Sequence, residues 1–236
     1  MEKIRINKYI ASTGAAARRK VDSMIDDGRI TVNDKKATHG EMVDPDMDIV
    51  KIDGEIIGKK EENVYYILNK PSKVICAVTG EDDRKCVVEL IDDSRRIFPI
   101  GRLDYETEGL IILTNDGELY NRVVHPRAEL FKGYFAKVKG RLEKKSIQDL
   151  RYGVNLEDGM TLPARVELIS AGEKQSEVFI AIREGRNRQV RRMFEKVGHE
   201  VLFLKRTAIG DIMLGELGTG EYRELTDKEL NYLKSI

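Results

Sequence analysis

The 236-residue chain has no tryptophan, only two cysteines, and a formal net charge of zero. Each shortage excludes something. Cys76 and Cys86 form no CxxC pair, so neither a disulfide framework nor a cysteine-rich metal site is expected. They read as two reduced, partly buried thiols. No apolar run approaches the ~20 residues needed to span a bilayer. The opening stretch, MEKIRINKYI, lacks the apolar core of a secretory signal. A cytoplasmic protein without membrane attachment is expected. The histidines His39, His125 and His199 lie far apart with no ligand spacing, which argues against a zinc site. No nucleophile elbow and no phosphate-binding Gly-Lys-Ser/Thr loop is present, so no metal or other cofactor is expected.

What is present is charge, unevenly spread. Charged residues make up 35% of the chain and hydrophobic ones 41%, the balance of a globular protein. Balanced net charge argues mildly against nucleic-acid binding, but distribution matters more than the sum. From Arg183 to Arg206, eight basic residues face three acids, and Arg18, Arg19 and Lys20 form a second basic cluster. The compensating acids lie in DDG at 26–28 and DPDMD at 44–48.

The pattern divides into a small unit over 1–60 and a larger one over 63–236, joined by the charged stretch GKKEEN. In the first unit, IRINKYIAST predicts a short helix closed at Gly14. ARRKVDSMIDDG predicts a second, with Val21, Met24 and Ile25 on one face and Gly28 as the stop. RITVN and DIVKIDGEII predict strands turning at Asn33-Asp34 and Asp53-Gly54. In the second unit, VYYILNKP, GLIILTND, KGYFAKVKG, ARVELIS and SEVFIAI predict strands. GELYNRVVHP, EKKSIQDLRYGV and NRQVRRMFEKVG predict helices, and TDKE at 226–229 predicts a capping box for a last one. Strands and helices mix without regular βαβ alternation, so the expected class is α+β.

Few residues offer chemistry. Asp44, Asp46, Asp48 and Glu55 imitate calcium-loop spacing, but Ile49 stands where the sharp turn needs glycine. Asp104, in GRLDYETEGLIILTNDGEL, is the stronger candidate. An Asp before a short element commonly caps it. Against that, Arg102 provides a nearby cation that can keep the carboxylate ionised, and the strand behind it provides a rigid mount. In the helix from Asn187, Val190, Met193, Phe194 and Val197 make the buried stripe, with Arg188 and Arg192 opposite. Arg191 lies at the border, about 100° from Val190. From there it can reach inward to a carboxylate.

Together these stretches resemble the bacterial ribosomal-RNA pseudouridine synthases with an N-terminal S4 domain. GRLDYETEGLIILTNDGEL is similar to the family's catalytic motif, FKGYFAKVKG to its second and EGRNRQVRRMF to its third. INKYIASTGAAARRKVDSMIDDGRITVNDKKA resembles the S4 unit. The match departs at Ala17, where the family usually has Ser, and at Asn33-Asp34, where it often has Asn-Gly. The resemblance implies a small S4 RNA-binding domain followed by a catalytic domain with a mixed, largely antiparallel sheet and flanking helices. It implies Asp104 as the catalytic carboxylate, Tyr134 as the active-site tyrosine and Arg191 as the basic partner of Asp104. RNA contacts are implied for Arg102, Arg186, Asn187, Arg188 and Gln189, and in the S4 unit for Arg5, Lys8, Arg18, Arg19 and Lys20. The expected partner is ribosomal RNA, of the large rather than the small subunit, bound by a monomer that flips the target base out. Two rivals differ in class. One is a non-catalytic S4-type RNA-binding protein. The other is a glycosidase pairing Asp104 with Glu106 or Glu108, although no aromatic sugar platform is evident.

Overall fold

The computed structural model describes residues 3–80 and 83–236. Two compact units emerge. One takes in the described residues up to Asn63 together with the short segment Asp93–Arg96, and the other takes in the rest. No part of the sequence pattern anticipates that Asp93–Arg96 groups with the first unit.

The first unit runs β1 (Ile4–Arg5), α1 (Ile6–Ser12), α2 (Arg18–Asp26), β2 (Ile30–Val32), β3 (Lys35–Lys36), β4 (Met42–Val43), β5 (Val50–Ile52) and β6 (Glu55–Ile56). Helix α2 buries Val21, Met24 and Ile25, the face its spacing predicts, against Ile6, Tyr9 and Ile10 of α1. Ala17 stands at its N-cap and supplies no side-chain bond, so the first turn lacks the usual stabilisation of ~1 kcal/mol. Gly28 adopts φ +67 and ends it. Asn33 and Asp34 both take positive φ, as do Asp53 and Gly54. These are the turns that connect β2 to β3 and β5 to β6 in one antiparallel sheet of order β3-β2-β5-β6. The acidic loop that imitates calcium spacing is tied up locally. Asp48 accepts from the Asp44 amide at 2.7 Å and from the Asn33 side chain at 2.8 Å.

The second unit runs β7 (Tyr65–Lys70), β8 (Phe98–Ile100), β9 (Glu108–Thr114), α3 (Gly117–Val124), β10 (Lys132–Lys139), α4 (Lys144–Tyr152), β11 (Asn155–Leu156) and β12 (Gly159–Met160). It continues with β13 (Arg165–Ala171), β14 (Gln175–Ile182), α5 (Gln189–Lys196), β15 (Val201–Ile209), β16 (Ile212–Met213), β17 (Tyr222–Glu224) and α6 (Asp227–Ser235). Its sheet has the order β13-β14-β10-β15-β9-β7-β17. All of those pairings are antiparallel except β15 with β9, which is parallel and short. The mixed sheet with helices fits the α+β expectation.

Strands β7 and β9 are buried almost throughout, because both faces of the sheet are covered. Alternation sends Tyr66, Leu68, Ile111 and Leu113 into one core, shared with α4 and α5. It sends Ile67, Leu110 and Ile112 into another, shared with α3 and α6. Phe194 of α5 is fully buried in the first core, and its truncation to Ala would cost about 3–5 kcal/mol. Two helix starts are well capped. Asp116 accepts from the amides of Glu118 and Leu119, and Thr226 with Glu229 forms the capping box its sequence predicts. No helix of the described residues is long and apolar enough to cross a membrane.

Candidate active site

The loop between β8 and β9 carries Asp104, and its backbone is pinned on both sides of that residue. The Leu103 amide donates to Cys76 Sγ at 3.2 Å. The Asp104 carbonyl accepts from the Thr107 amide at 3.0 Å, and the Tyr105 carbonyl accepts from the Lys73 amide at 2.8 Å. Lys70, fully buried at the end of β7, lies beneath. Its ammonium donates to the carbonyls of Pro71 at 2.9 Å and Val74 at 2.8 Å, and more weakly to that of Tyr105 at 3.4 Å. Burial pushes the Lys70 ammonium below its ordinary pKa, and the fields of Glu108 and Asp104 oppose that shift. Burial likewise pushes the Cys76 thiol up, so it accepts the Leu103 bond as a neutral sulfur. The Asp104 carboxylate itself makes no hydrogen bond or ion pair among the described residues. It is half-buried and faces a cavity of about 470 Å³.

Tyr134, on β10, faces the same cavity and is 8% exposed. The alternation of KGYFAKVKG sets this direction, and Tyr134, Ala136 and Val138 all point into the core. Arg102, Arg186, Arg188 and Gln189 also line the cavity, whereas Asn187 and Arg191 do not. Arg5, Lys8, Arg18, Arg19 and Lys20 belong to the other unit. Arg5, Arg18, Arg19 and Lys20 are exposed, and Lys8 is half-buried.

The third stretch differs from its expected geometry. The helix begins at Gln189 rather than Asn187, because Arg188 adopts a left-handed conformation, φ 47, at the N-cap. Arg188 thereby reaches the cavity rim, 3.8 Å from Glu106 across it. Arg191 is not a border residue but a buried one, 8% exposed. The expected direct pair with Asp104 is absent. The Arg191 Nη1 donates instead to the Val201 carbonyl at 3.1 Å, at the start of the neighbouring strand. Burial pushes its pKa down, with Arg188 adding to the effect, and the fields of Glu106 and Asp104 act the other way. Its influence on Asp104 is therefore a field at a distance.

Arg186 and Gln189 are engaged within the protein. Arg186 donates to the carbonyls of Gly159 and Met160 in the β11–β12 hairpin and to Glu184 at 3.1 Å. Gln189 donates to Glu184 at 2.5 Å and accepts from the Arg186 amide at 3.0 Å. Among the described residues, no cluster of three or more His, Cys, Asp or Glu side chains is arranged to hold a metal ion.

Two cavity residues escape the sequence reading. Arg206 is 3% exposed and lies directly across the β10–β15 ladder from Tyr134. Lys132 opens β10. The signal for Arg206 was VLFLKRTAI, a strand whose inward arginine breaks the apolar alternation that marks strands. The signal for Lys132 was its place two residues before Tyr134, on the same face.

The family described as RNA pseudouridylate synthase matches residues 64–196, and the S4 domain matches residues 4–49. The chain is 44% identical, over 99% of its length and 94% of the other's, to an uncharacterised RNA pseudouridine synthase of Aquifex aeolicus. It is 43% identical to the ribosomal large subunit pseudouridine synthase B of Bacillus subtilis, over 98% of this chain and 96% of that one. A crystal structure of a pseudouridylate synthase superposes with a TM-score of 0.71 at 30% identity, covering 98% of this chain and 99% of that one.

Proposed function

The chain belongs to the RNA pseudouridylate synthases, and from that membership we propose that it converts a uridine of large-subunit ribosomal RNA to pseudouridine. The observation that carries the assignment of Asp104 is its pinned loop. A carboxylate with no partner among the described residues shares a cavity with Tyr134, and its backbone is fixed by bonds at Leu103 and Tyr105.

The reaction breaks the C1′–N1 bond and joins C1′ to C5. The C5 proton departs and N1 gains one, so nothing is oxidised or reduced. Asp104 acts at the ribose, and attack on C1′ or removal of the C2′ proton both start from the same carboxylate. Tyr134 stacks on the detached uracil and relays the C5 proton. Arg191 sets a buried positive charge near the carboxylate without touching it. A stacked uridine hides C1′, so the base is flipped into the cavity, and Arg102 fills the space it leaves. Arg188 and Asn187 contact the RNA from the rim, while Arg186 and Gln189 hold their loop from within. Arg5, Lys8, Arg18, Arg19 and Lys20 of the S4 unit supply phosphate contacts, which position the RNA without reading its bases.

The test is Asp104→Asn, which keeps size and removes charge. Tritium release from an rRNA transcript tritiated at uracil C5 should vanish, while binding of the same transcript stays as in the native protein. Substantial release by the variant would refute the role of Asp104. No release by the native protein on any rRNA would favour a non-catalytic RNA-binding protein, for which an Asn would cap as well as an Asp.

A further inference from the structure

Lys132 is a cation facing the cavity. It sits two residues before Tyr134 on β10, so both side chains point to the same side. Its ammonium has no hydrogen-bond or ion-pair partner among the described residues. The charged group it feels is another cation, Arg206, across the ladder on β15. Arg206 donates its Nε to the Leu110 carbonyl at 2.7 Å and leaves its Nη2 buried without a partner among the described residues.

The acids of the cavity wall do not supply the missing charge. Glu129 meets Arg183 at 3.4 Å, and Glu184 meets Arg186 at 3.0 Å. Asp104 makes no ion pair among the described residues. Burial and the charge of Arg206 push the Lys132 ammonium below its ordinary pKa, a shift that a bound anion would reverse. A half-buried cation and a fully buried one on the same cavity are costly unless something else provides the opposite charge.

We propose that Lys132 and Arg206 form a phosphate subsite, which takes the backbone phosphate of the nucleotide held against Asp104 and Tyr134. This rests on the synthase reading, in which the substrate is RNA. Uracil and ribose are neutral, so the phosphodiester is the anion such a substrate brings. The Lys132 ammonium supplies a mobile point charge and Arg206 Nη2 a fixed, directed donor. Gripping the phosphate fixes the sugar beside the carboxylate, which is the orientation the ribose chemistry requires.

The experiment uses the full chain and compares uridine 5′-monophosphate, uridine 3′-monophosphate and uridine by amide NMR titration. At least one monophosphate should bind about tenfold more tightly than uridine, the margin of one charged hydrogen bond. Inorganic phosphate should compete with it. Lys132→Gln should erase the preference and Lys132→Arg should keep it. The subsite is overturned if uridine binds as tightly as both monophosphates, if neither monophosphate binds, or if Lys132→Gln retains the preference. Tritium release by the native protein, measured separately, tells the two readings apart. Release without a phosphate preference sinks the subsite alone, and a preference without release sinks the synthase reading while leaving an anion site.

Discussion

Arg192 grips both carboxylate oxygens of Asp158, Nη1 to Oδ1 at 3.0 Å and Nη2 to Oδ2 at 2.9 Å. Arg186 adds a third contact to Oδ1 at 3.3 Å. One exposed aspartate in the β11–β12 hairpin thus holds two arginines of the stretch that also positions Arg188 at the cavity rim. A basic run that reads from sequence as an RNA-facing surface is partly a clamp inside the protein.

That clamp gives a pH prediction. The Arg192 hydrogen bond, more than any other cause, holds the Asp158 carboxyl down to about 2 from an ordinary 3.8. A carboxyl whose pKa is lower in the folded state stabilises the fold above its ordinary value, and the effect fades as pH falls through the folded value. Asp158→Asn should therefore lower stability at neutral pH. The gap between native and variant should close as pH drops from 3.8 to about 2. Urea unfolding across that range checks it, and a gap independent of pH would refute the ionic origin.

Gly109 is required for a different reason. It pairs with Arg206 where β9 meets β15, at φ +105, and a Cβ there would fall 2.1 Å from the Arg206 carbonyl oxygen. Gly109→Ala must break this pairing or distort the backbone, at a cost of about 4 kcal/mol or more. It should also displace Arg206, with loss of activity. Gly117→Ala is the control. Gly117 opens α3 with nothing within 4 Å of an added Cβ, and the change should stabilise by about 0.5–1 kcal/mol. Thermal melts of the two variants should move in opposite directions.

Much of this fold is legible in the sequence because its elements follow local rules. Val21, Met24 and Ile25 bury on one face as their spacing requires, and Thr226 with Glu229 caps α6 as its motif predicts. Asp104 and Tyr134 line one cavity. What the sequence hid is non-local. Strand β15 carries the inward Arg206 at a position that reads as polar, so its periodicity is broken at the residue that matters to the cavity. Arg191 lies on a helix face that a helical wheel puts at the border, but the Val201 carbonyl draws it inside. No spacing rule predicts that Arg186 and Arg192 would find Asp158, because the hairpin that offers it is about thirty residues away.

Arg191 should act on Asp104 without touching it. Arg191→Met removes a buried cation and leaves the Val201 carbonyl without this donor, at a stability cost of about 1–3 kcal/mol. Turnover should fall by about a hundredfold, the scale of losing one preorganised charge in a desolvated site. The loss should fall on kcat, with KM for the RNA little changed, because the charge acts at the reacting carboxylate rather than on binding. A raised KM with kcat unchanged would mean that Arg191 serves binding rather than the chemical step.

The N-terminal unit should contribute affinity rather than chemistry. Arg18, Arg19 and Lys20 crowd the first turn of α2, where the helix dipole disfavours cations and Ala17 provides no cap. Three positive charges at that end weaken the helix, and a phosphate anion there would relieve both faults at once. Replacing all three with Ala should therefore leave the fold intact or slightly stabilised while weakening RNA binding. Each lost phosphate contact should flatten the log–log salt dependence of binding by about 0.7–0.9. Removing residues 1–60 should flatten it further and leave a catalytic unit that still releases tritium, more slowly, at high RNA concentration. The unit's own core, from Ile6 to Val50, shares no residue with the two cores of the sheet, which is why the larger unit should survive the cut. An unchanged salt slope in the triple variant would show that these cations do not meet phosphates, and the affinity would then have to come from the cavity rim.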